Sequence, residues 1–433
     1  MSAVPTIEGN LCPTCDSPLS SHPDASPGHP PWCGACEWNL DRFTDDSRLS
    51  WFARRMVRAD RRAGFASHRR LARSAEPSPV GAGVFAFLVL VSAAVMLIMV
   101  AAFAAGLWLI IAGGLLWPVV LGALLLALAA VLRPRFVRLK RLLTSSYRVE
   151  PADAPTLHVL IDRIAGRLDA PRPDALLLDF SWNASVTLVG PRPRRVLRLG
   201  VPLLLALDPQ ELVALVGHEM GHLKHADNRR AFLTAPARTA FGRLSEAIRP
   251  PSRSADELNL PGYAAVLLMA WQLVGGLTSL MLYATHLGVN VVAAGDDRGV
   301  ELRADAMAAE AAGTAATLRM LDLLATLPSL TGYVQHYVDK GQAGATWRRV
   351  LRSVRDREAA TAPAWRQLSI RTDASLLTTH PAPGRRHQWV AARPARGATV
   401  HLTEGEVEAL AKEIRPYAEA LHRTMLKAHP SDD

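Results

Sequence analysis

His218-Glu219-Met220-Gly221-His222 carries the residue types and spacing of a metal-dependent hydrolytic centre. Two histidines four positions apart on a helix share one face, so both rings reach a single ion. Glu219 stands beside them, placed to take a proton from water polarised by that ion. The helix itself is legible. Asp208 sits at a cap, Pro209 at the first helical position and Glu211 three residues after the cap, which is the pattern of a capped helix start. An apolar run from Leu212 to Val216 follows.

A catalytic zinc needs a third protein ligand and an open position for water. His225 lies seven residues after His218, near the same face, but two turns along the same helix it struggles to converge on the ion. The extended His-Glu-x-x-His-x-x-Gly-x-x-His pattern fails, because position 225 is His where Gly belongs and position 228 is Asn. Glu301 is the third candidate. The run from Gly299 to Glu310 reads as a helix with Glu301 and Asp305 on one face. In that arrangement Glu301 could ligate while Asp305 accepts a hydrogen bond from a ligating ring. By spacing alone, an ordinary solvated helix face accounts for the pair better.

Five motifs in order bear on that choice: Trp182-Asn183-Ala184-Ser185, Arg195-Val196-Leu197-Arg198-Leu199-Gly200, the His-Glu-x-x-His helix with Asp227 five residues beyond His222, Glu301-x-x-x-Asp305, and Thr378-Thr379-His380-Pro381-Ala382-Pro383-Gly384-Arg385-Arg386. Together they resemble the HtpX and CAAX-prenyl-protease family of integral-membrane zinc metallopeptidases, over roughly residues 145–395. The resemblance implies an α-rich, gluzincin-type metallopeptidase domain with a small β-sheet. It implies Glu301 as the third ligand and Glu219 as general base, with Asp305 and Asp227 behind the ligands. It favours His380 as a donor to the tetrahedral oxyanion over a turn histidine before Pro. Residues 183–188 are β-rich and could form an exposed strand against which a peptide pairs, with Asn183 and Ala184 as substrate-binding candidates, or a strand that only packs. Arg385 and Arg386 bind substrate or structure. The chain departs from the family pattern at Leu302 (commonly Phe), Arg303 (commonly acidic) and Ser185 (commonly Phe), none of them a proposed ligand.

Cys12-Pro-Thr-Cys15 and Cys33-Gly-Ala-Cys36 are the only cysteines. Two such pairs at this separation read as a zinc ribbon, each pair giving two thiolates to one tetrahedral ion. The alternatives are two disulfides or four free thiols. The segment between the pairs is rich in Pro, Ser and His and has no evident core, so metal must supply most of its folding energy. Four thiolates close the site, which makes it structural; its loss is expected to leave hydrolysis intact. The partner of the ribbon is not legible.

These residues need elements to hold them, and the composition says where those elements lie. The chain has 433 residues, 49% apolar and 20% charged, with a net charge of +10. Wholesale disorder and a disulfide scaffold are both excluded. From Pro77 to Leu132 there is no Asp, Glu, Lys, Arg or His. That is room for two spans of about 20 residues, expected near 84–111 and 115–132 with a turn at Gly113-Gly114 or Trp117-Pro118. Arginines cluster on both flanks, from Arg54 to Arg73 and from Arg133 to Arg141. Basic flanks stay cytoplasmic, so a helical hairpin is expected, with the N-terminus and the catalytic site both in the cytoplasm of a multi-pass cell-membrane protein. The basic stretch then faces anionic lipid, and no nucleic-acid partner is expected. The expected division is a ribbon over 1–42, a basic linker over 43–80, the hairpin over 81–132, the peptidase domain over 133–400 and a C-terminal helix and tail over 401–433.

A second run, Leu258 to Gly295, also lacks Asp, Glu, Lys and Arg. His218 and His222 precede it and Glu301 follows it, so the chain crosses a bilayer an even number of times between them. Two crossings folded at Gly275-Gly276, or none, both remain open. The function so implied is a membrane-anchored endopeptidase with one catalytic and one structural zinc, acting on membrane or membrane-adjacent polypeptides. The alternative is a catalytically inactive scaffold that binds partners through the ribbon.

Overall fold

The structure is a computed structural model. It describes residues 11–20, 31–39, 82–134, 139–190, 193–225, 227–251, 261–339, 347–359, 361–372 and 381–428. In chain order its elements begin with β1 (Leu19–Ser20), β2 (Trp32–Cys33), α1 (Ala82–Ala112), α2 (Leu116–Leu132), α3 (Leu139–Leu142), β3 (Ser146–Val149) and α4 (Pro155–Arg167). There follow β4 (Ala175–Asp179), β5 (Ala184–Val189), β6 (Arg194–Gly200), α5 (Val201–Ala206), α6 (Pro209–Lys224), α7 (Asp227–Ile248) and α8 (Gly262–Ala312). The chain closes with α9 (Thr314–Asp339), α10 (Trp347–Glu358), α11 (Ala362–Thr372), α12 (Pro383–Ala391) and α13 (Glu404–Ala428). Two compact units result, one of Ser78–Phe136 and Asp227–Asp297, the other of Met1–Pro77, Val137–Ala226 and Arg298–Asp433.

The first unit is helical. α1 and α2 form the expected hairpin, turning at residues 113–115. Gly106 and Gly122 set their closest approach: a Cβ on either would stand 2.7–2.8 Å from the other's carbonyl oxygen. Small residues let apolar helices pack where water gives no drive to associate. Large apolar side chains face outward, among them Leu97 at 70% and Trp117 at 79% exposure. Such continuous apolar surface belongs against lipid. α1 and α8 are both long and apolar enough to cross a membrane.

α8 bears on the two arrangements left open for residues 258–295. It is a single helix of 51 residues that runs straight through Gly275 and Gly276, so the fold at that pair is not made. Two glycines cost a helix only about 1 kcal/mol each. Gly275 instead packs beside the Ile248 carbonyl at the end of α7. α7 and the first part of α8 lie antiparallel. Ser245 Oγ donates to the Ser279 carbonyl at 2.8 Å, and Asn290 Nδ2 to the Arg238 carbonyl at 3.1 Å. Pro236 interrupts α7, and Ser92 Oγ of α1 accepts the Ala237 N–H at 3.1 Å.

The second unit carries the small sheet. Its strand order is β3-β4-β6-β5, with β4 parallel to β6 and the outer pairs antiparallel. β5 therefore lies at an edge. Leu176 and Leu178 of β4 and Leu197 and Leu199 of β6 join Leu157, Leu160 and Ile164 of α4 in one core with Val213, Val216 and Met220 of α6. α6 is buried on nearly every side, which is why its sequence is so apolar around two histidines. The helix start is built as the sequence predicts. The Asp208 N–H donates to Glu211 Oε2 at 3.0 Å. Glu211 is fully buried, and the guanidinium groups of Arg355 and Arg319 satisfy its charge. Removing one member of a buried charge pair costs about 3–5 kcal/mol, so this pair anchors the base of the motif helix.

Candidate metal centre

α6 presents His218 and His222 one turn apart, and the last turns of α8, from Arg298 on, bring Glu301 to them. Donor atoms of the three side chains form a tight triangle, with Glu301 turning one oxygen toward each histidine. His218 Nε2 and His222 Nε2 are 3.2 Å apart; Glu301 Oε2 is 3.4 Å from the first and Oε1 3.5 Å from the second. Metal–nitrogen bonds of 2.0–2.1 Å at tetrahedral angles separate ligand atoms by about 3.3 Å. The separations match those of neighbouring donors around one zinc, and the three residues fit the ion.

Glycine makes that convergence possible. A Cβ on Gly221 would come within 2.8 Å of the Ala304 Cα, and one on Gly217 within 3.1 Å of the Ala311 Cβ. With Ala304, Ala308 and Ala311 opposite, the backbones approach closely enough for a short glutamate to reach the histidines. Gly221→Ala must push the two helices apart, whereas Gly217→Ala asks a smaller adjustment. We expect Gly221→Ala to lose catalytic zinc to a chelator more readily than the wild type, with Gly217→Ala in between. Competition with a colorimetric chelator measures the order.

Asp305 and Arg386 stand behind the triangle. Asp305 Oδ1 is 3.0 Å from His218 Nδ1, so that nitrogen carries the hydrogen and Nε2 faces the ion. The Arg386 guanidinium grips both Asp305 oxygens at 2.6 and 2.8 Å and reaches within 3.7 Å of Glu301 Oε2. Burial raises the Asp305 pKa, but Arg386 outweighs it and holds the group below the usual carboxylate range. Burial and Arg386 push the His218 ring down, hydrogen bonds to Asp305 and Glu301 push it up, and it settles at about 9. An incoming cation therefore displaces a proton there. The Asp305–Arg386 pair is what reading the sequence missed. Both residues were singled out, but 81 positions apart nothing in the spacing joins them.

A cavity of about 200 Å³ opens beside His218 and Glu219. His218, Glu219 and Arg386 line it on one side, Asn183 and Ala184 at the start of the edge strand on another. Leu203, Leu215, Met320, Leu324 and Leu327 make its apolar wall, and Pro381 and Pro383 close it. The apolar wall gave no sequence signal, because these leucines follow the same periodicity as any core helix. Arg385 pairs instead with Glu37 of the ribbon. His225 caps the end of α6 and is not part of the triangle. His380 lies outside the described residues, as does the side chain of Asp227.

The four cysteines also converge. Cys12 Sγ lies 3.6 Å from Cys36 Sγ and Cys15 Sγ 3.5 Å from Cys33 Sγ, far beyond a disulfide bond of about 2.05 Å. Zinc–sulfur bonds of 2.3 Å separate thiolates by about 3.8 Å, so the group fits one ion. Hydrogen bonds from Ser17, side chain and then backbone, draw the Cys15 thiol down to about 6, while burial pushes the Cys36 thiol up to about 12.

The chain matches the sequence family described as Peptidase family M48 over residues 151–393, more than half its length. It is similar to a Protease HtpX homolog of Methanothermobacter thermautotrophicus, 29% identical over 115 residues, covering 27% of this chain and 43% of the relative. A Protease HtpX homolog of Moorella thermoacetica is 36% identical over 80 residues, 18% of this chain and 26% of the relative. Protease HtpX homolog 1 of Streptomyces coelicolor is 34% identical over 80 residues, with the same two shares, 18% and 26%. The chain thus spans less than half the length of each of these relatives. No solved structure matches it.

Proposed function

The chain belongs to peptidase family M48, and from that premise we propose that it is a membrane-anchored zinc endopeptidase that hydrolyses membrane or membrane-adjacent polypeptides. The observation that carries the reading is the ligand triangle of 3.2–3.5 Å edges with Glu219 beside it on a cavity bordered by an edge strand. His218, His222 and Glu301 would hold the ion. When bound, zinc supplies Lewis acidity, polarising the scissile carbonyl and making water a nucleophile near neutral pH. Glu219 is placed to take a proton from the attacking water and to hand it to the leaving amine as the C–N bond breaks. β5 offers its free edge to an extended peptide, which adds as a strand through main-chain hydrogen bonds. The apolar wall receives an apolar side chain next to the scissile bond. Asp305 fixes the His218 ring, Arg386 fixes Asp305, and His380 donates to the developing oxyanion.

The ribbon cysteines hold a second, structural zinc. A scaffold that only binds partners is the weaker reading, since it has no use for a carboxylate kept between two ligands at the head of a cleft. The decisive test in cells is proteomics of strains carrying the wild type or Glu219→Gln. Membrane-protein fragments that vanish in the variant are the substrates; an identical fragment pattern counts against the peptidase.

The topology we propose places residues 1–78 and 133–257 on the cytoplasmic side. Single cysteines introduced at positions 50 and 150, in a chain without its native four, are expected to react with the same membrane-impermeant reagent only after the cells are opened. Labelling of the two from opposite sides breaks the hairpin orientation.

A further inference from the structure

The ribbon is not a remote appendage. Trp32 is fully buried against Ile370 of α11 and Ala382, and its indole N–H donates to Gln367 Oε1 at 2.7 Å. Gly34 lies so near the same side chain that a Cβ would stand 2.1 Å from Gln367 Nε2. Glu37 takes the Arg385 guanidinium with both carboxylate oxygens. All of these side chains belong to the second unit.

The contacts fall on a short stretch that the site depends on. Ala382 stands between Pro381 and Pro383, which close the cavity. Arg385 immediately precedes Arg386, which holds Asp305. The stretch has no slack on its other side. A Cβ on Gly384 would lie 2.1 Å from the Arg366 carbonyl oxygen of α11, and the Gly384 N–H donates to Ser369 Oγ at 3.0 Å. Residues 382–386 are therefore held between α11 and the ribbon.

We propose that the cysteine ribbon is a positioning element of the hydrolytic centre, clamping residues 382–386 so that Arg386 stays on Asp305 and the two prolines stay on the cleft. Glu37 and Trp32 are its positioning residues; neither lines the cavity. Trp32 and Gly34 flank Cys33, so the clamp depends on the ribbon holding its metal. This revises the expectation that the ribbon is separable from hydrolysis. It rests on the peptidase reading for its consequence, not for its geometry.

The test uses the full-length, zinc-loaded protein in detergent. Three forms are compared: wild type, Glu37→Ala, and the charge exchange Glu37→Arg with Arg385→Glu. Amide hydrogen exchange is read over residues 381–391 and over the motif helix 209–224, beside kcat and KM on a quenched-fluorescent peptide and the zinc content. A charge-assisted two-pronged bond sets the scale at about tenfold. Glu37→Ala is expected to speed exchange in 381–391 and lower kcat by that factor. KM, exchange in 209–224 and the content of two zinc ions, one per ligand cluster, should not change. The charge exchange is expected to restore both the protection and kcat. Unchanged exchange in 381–391 for Glu37→Ala overturns the clamp, and so does a charge exchange that restores nothing. If the wild type itself hydrolyses nothing, the peptidase reading falls, and the exchange comparison still decides the clamp.

Discussion

Glu219→Gln is expected to lower hydrolysis by about 10²–10⁴-fold, the usual contribution of a positioned acid–base group, while zinc content stays at the wild-type level. Glu219 is on the same helix as both histidines and nearly inaccessible, at 4% exposure, yet it is not one of the three converging ligands. Gln keeps its size and its hydrogen-bonding reach and removes only the ability to take a proton. The defect should therefore lie in kcat, with peptide affinity retained. Turnover of a quenched peptide, measured beside zinc by atomic emission, separates this from misfolding. A variant that loses zinc with activity would make Glu219 a ligand and remove the general base from the account.

Glu301→Ala is expected to do the opposite and lose the catalytic zinc outright, leaving one ion per chain on the cysteines. Three ligands are the minimum a catalytic zinc uses, and the two histidines alone cannot complete the face that Glu301 closes at 3.4 and 3.5 Å. His222→Ala should behave the same way. Asp305→Ala touches no ligand position. It removes the carboxylate that orients His218 and leaves the Arg386 guanidinium buried without its partner, so zinc affinity should fall by about 10–100-fold. Retention of both ions in Glu301→Ala, with loss in His225→Ala, would move the third ligand to the end of α6.

How much of this was legible in the sequence follows from how local each feature is. The motif helix is encoded in the sixteen residues of α6 and its cap in Asp208 just before them, and periodicity and capping chemistry read them directly. The α1–α2 hairpin is equally plain, because a charge-free run announces itself. Glu301 is 83 positions beyond His218, and only the resemblance to a family joined them; spacing favoured a solvated face. The glycines of the motif, Gly217 and Gly221, look like helix weaknesses until Ala304 and Ala308 are seen against them. Residues 258–295 stayed open between two crossings and none, because a glycine pair marks a turn in a loop but not in a helix supported along its length, and the sequence does not say which surrounds it. The docking of Trp32 on Gln367 joins residues 335 positions apart, and no pattern in either segment points to the other.

The central claim is that His218, His222 and Glu301 hold a zinc ion apart from the cysteines. Zinc-edge X-ray absorption on the Cys12→Ser, Cys15→Ser chain tests it most directly, since one ion then remains. The account expects one zinc per chain with a shell of nitrogen and oxygen at about 2.0–2.2 Å and no sulfur. A chain without zinc, or a shell that still contains sulfur at about 2.3 Å, would contradict it.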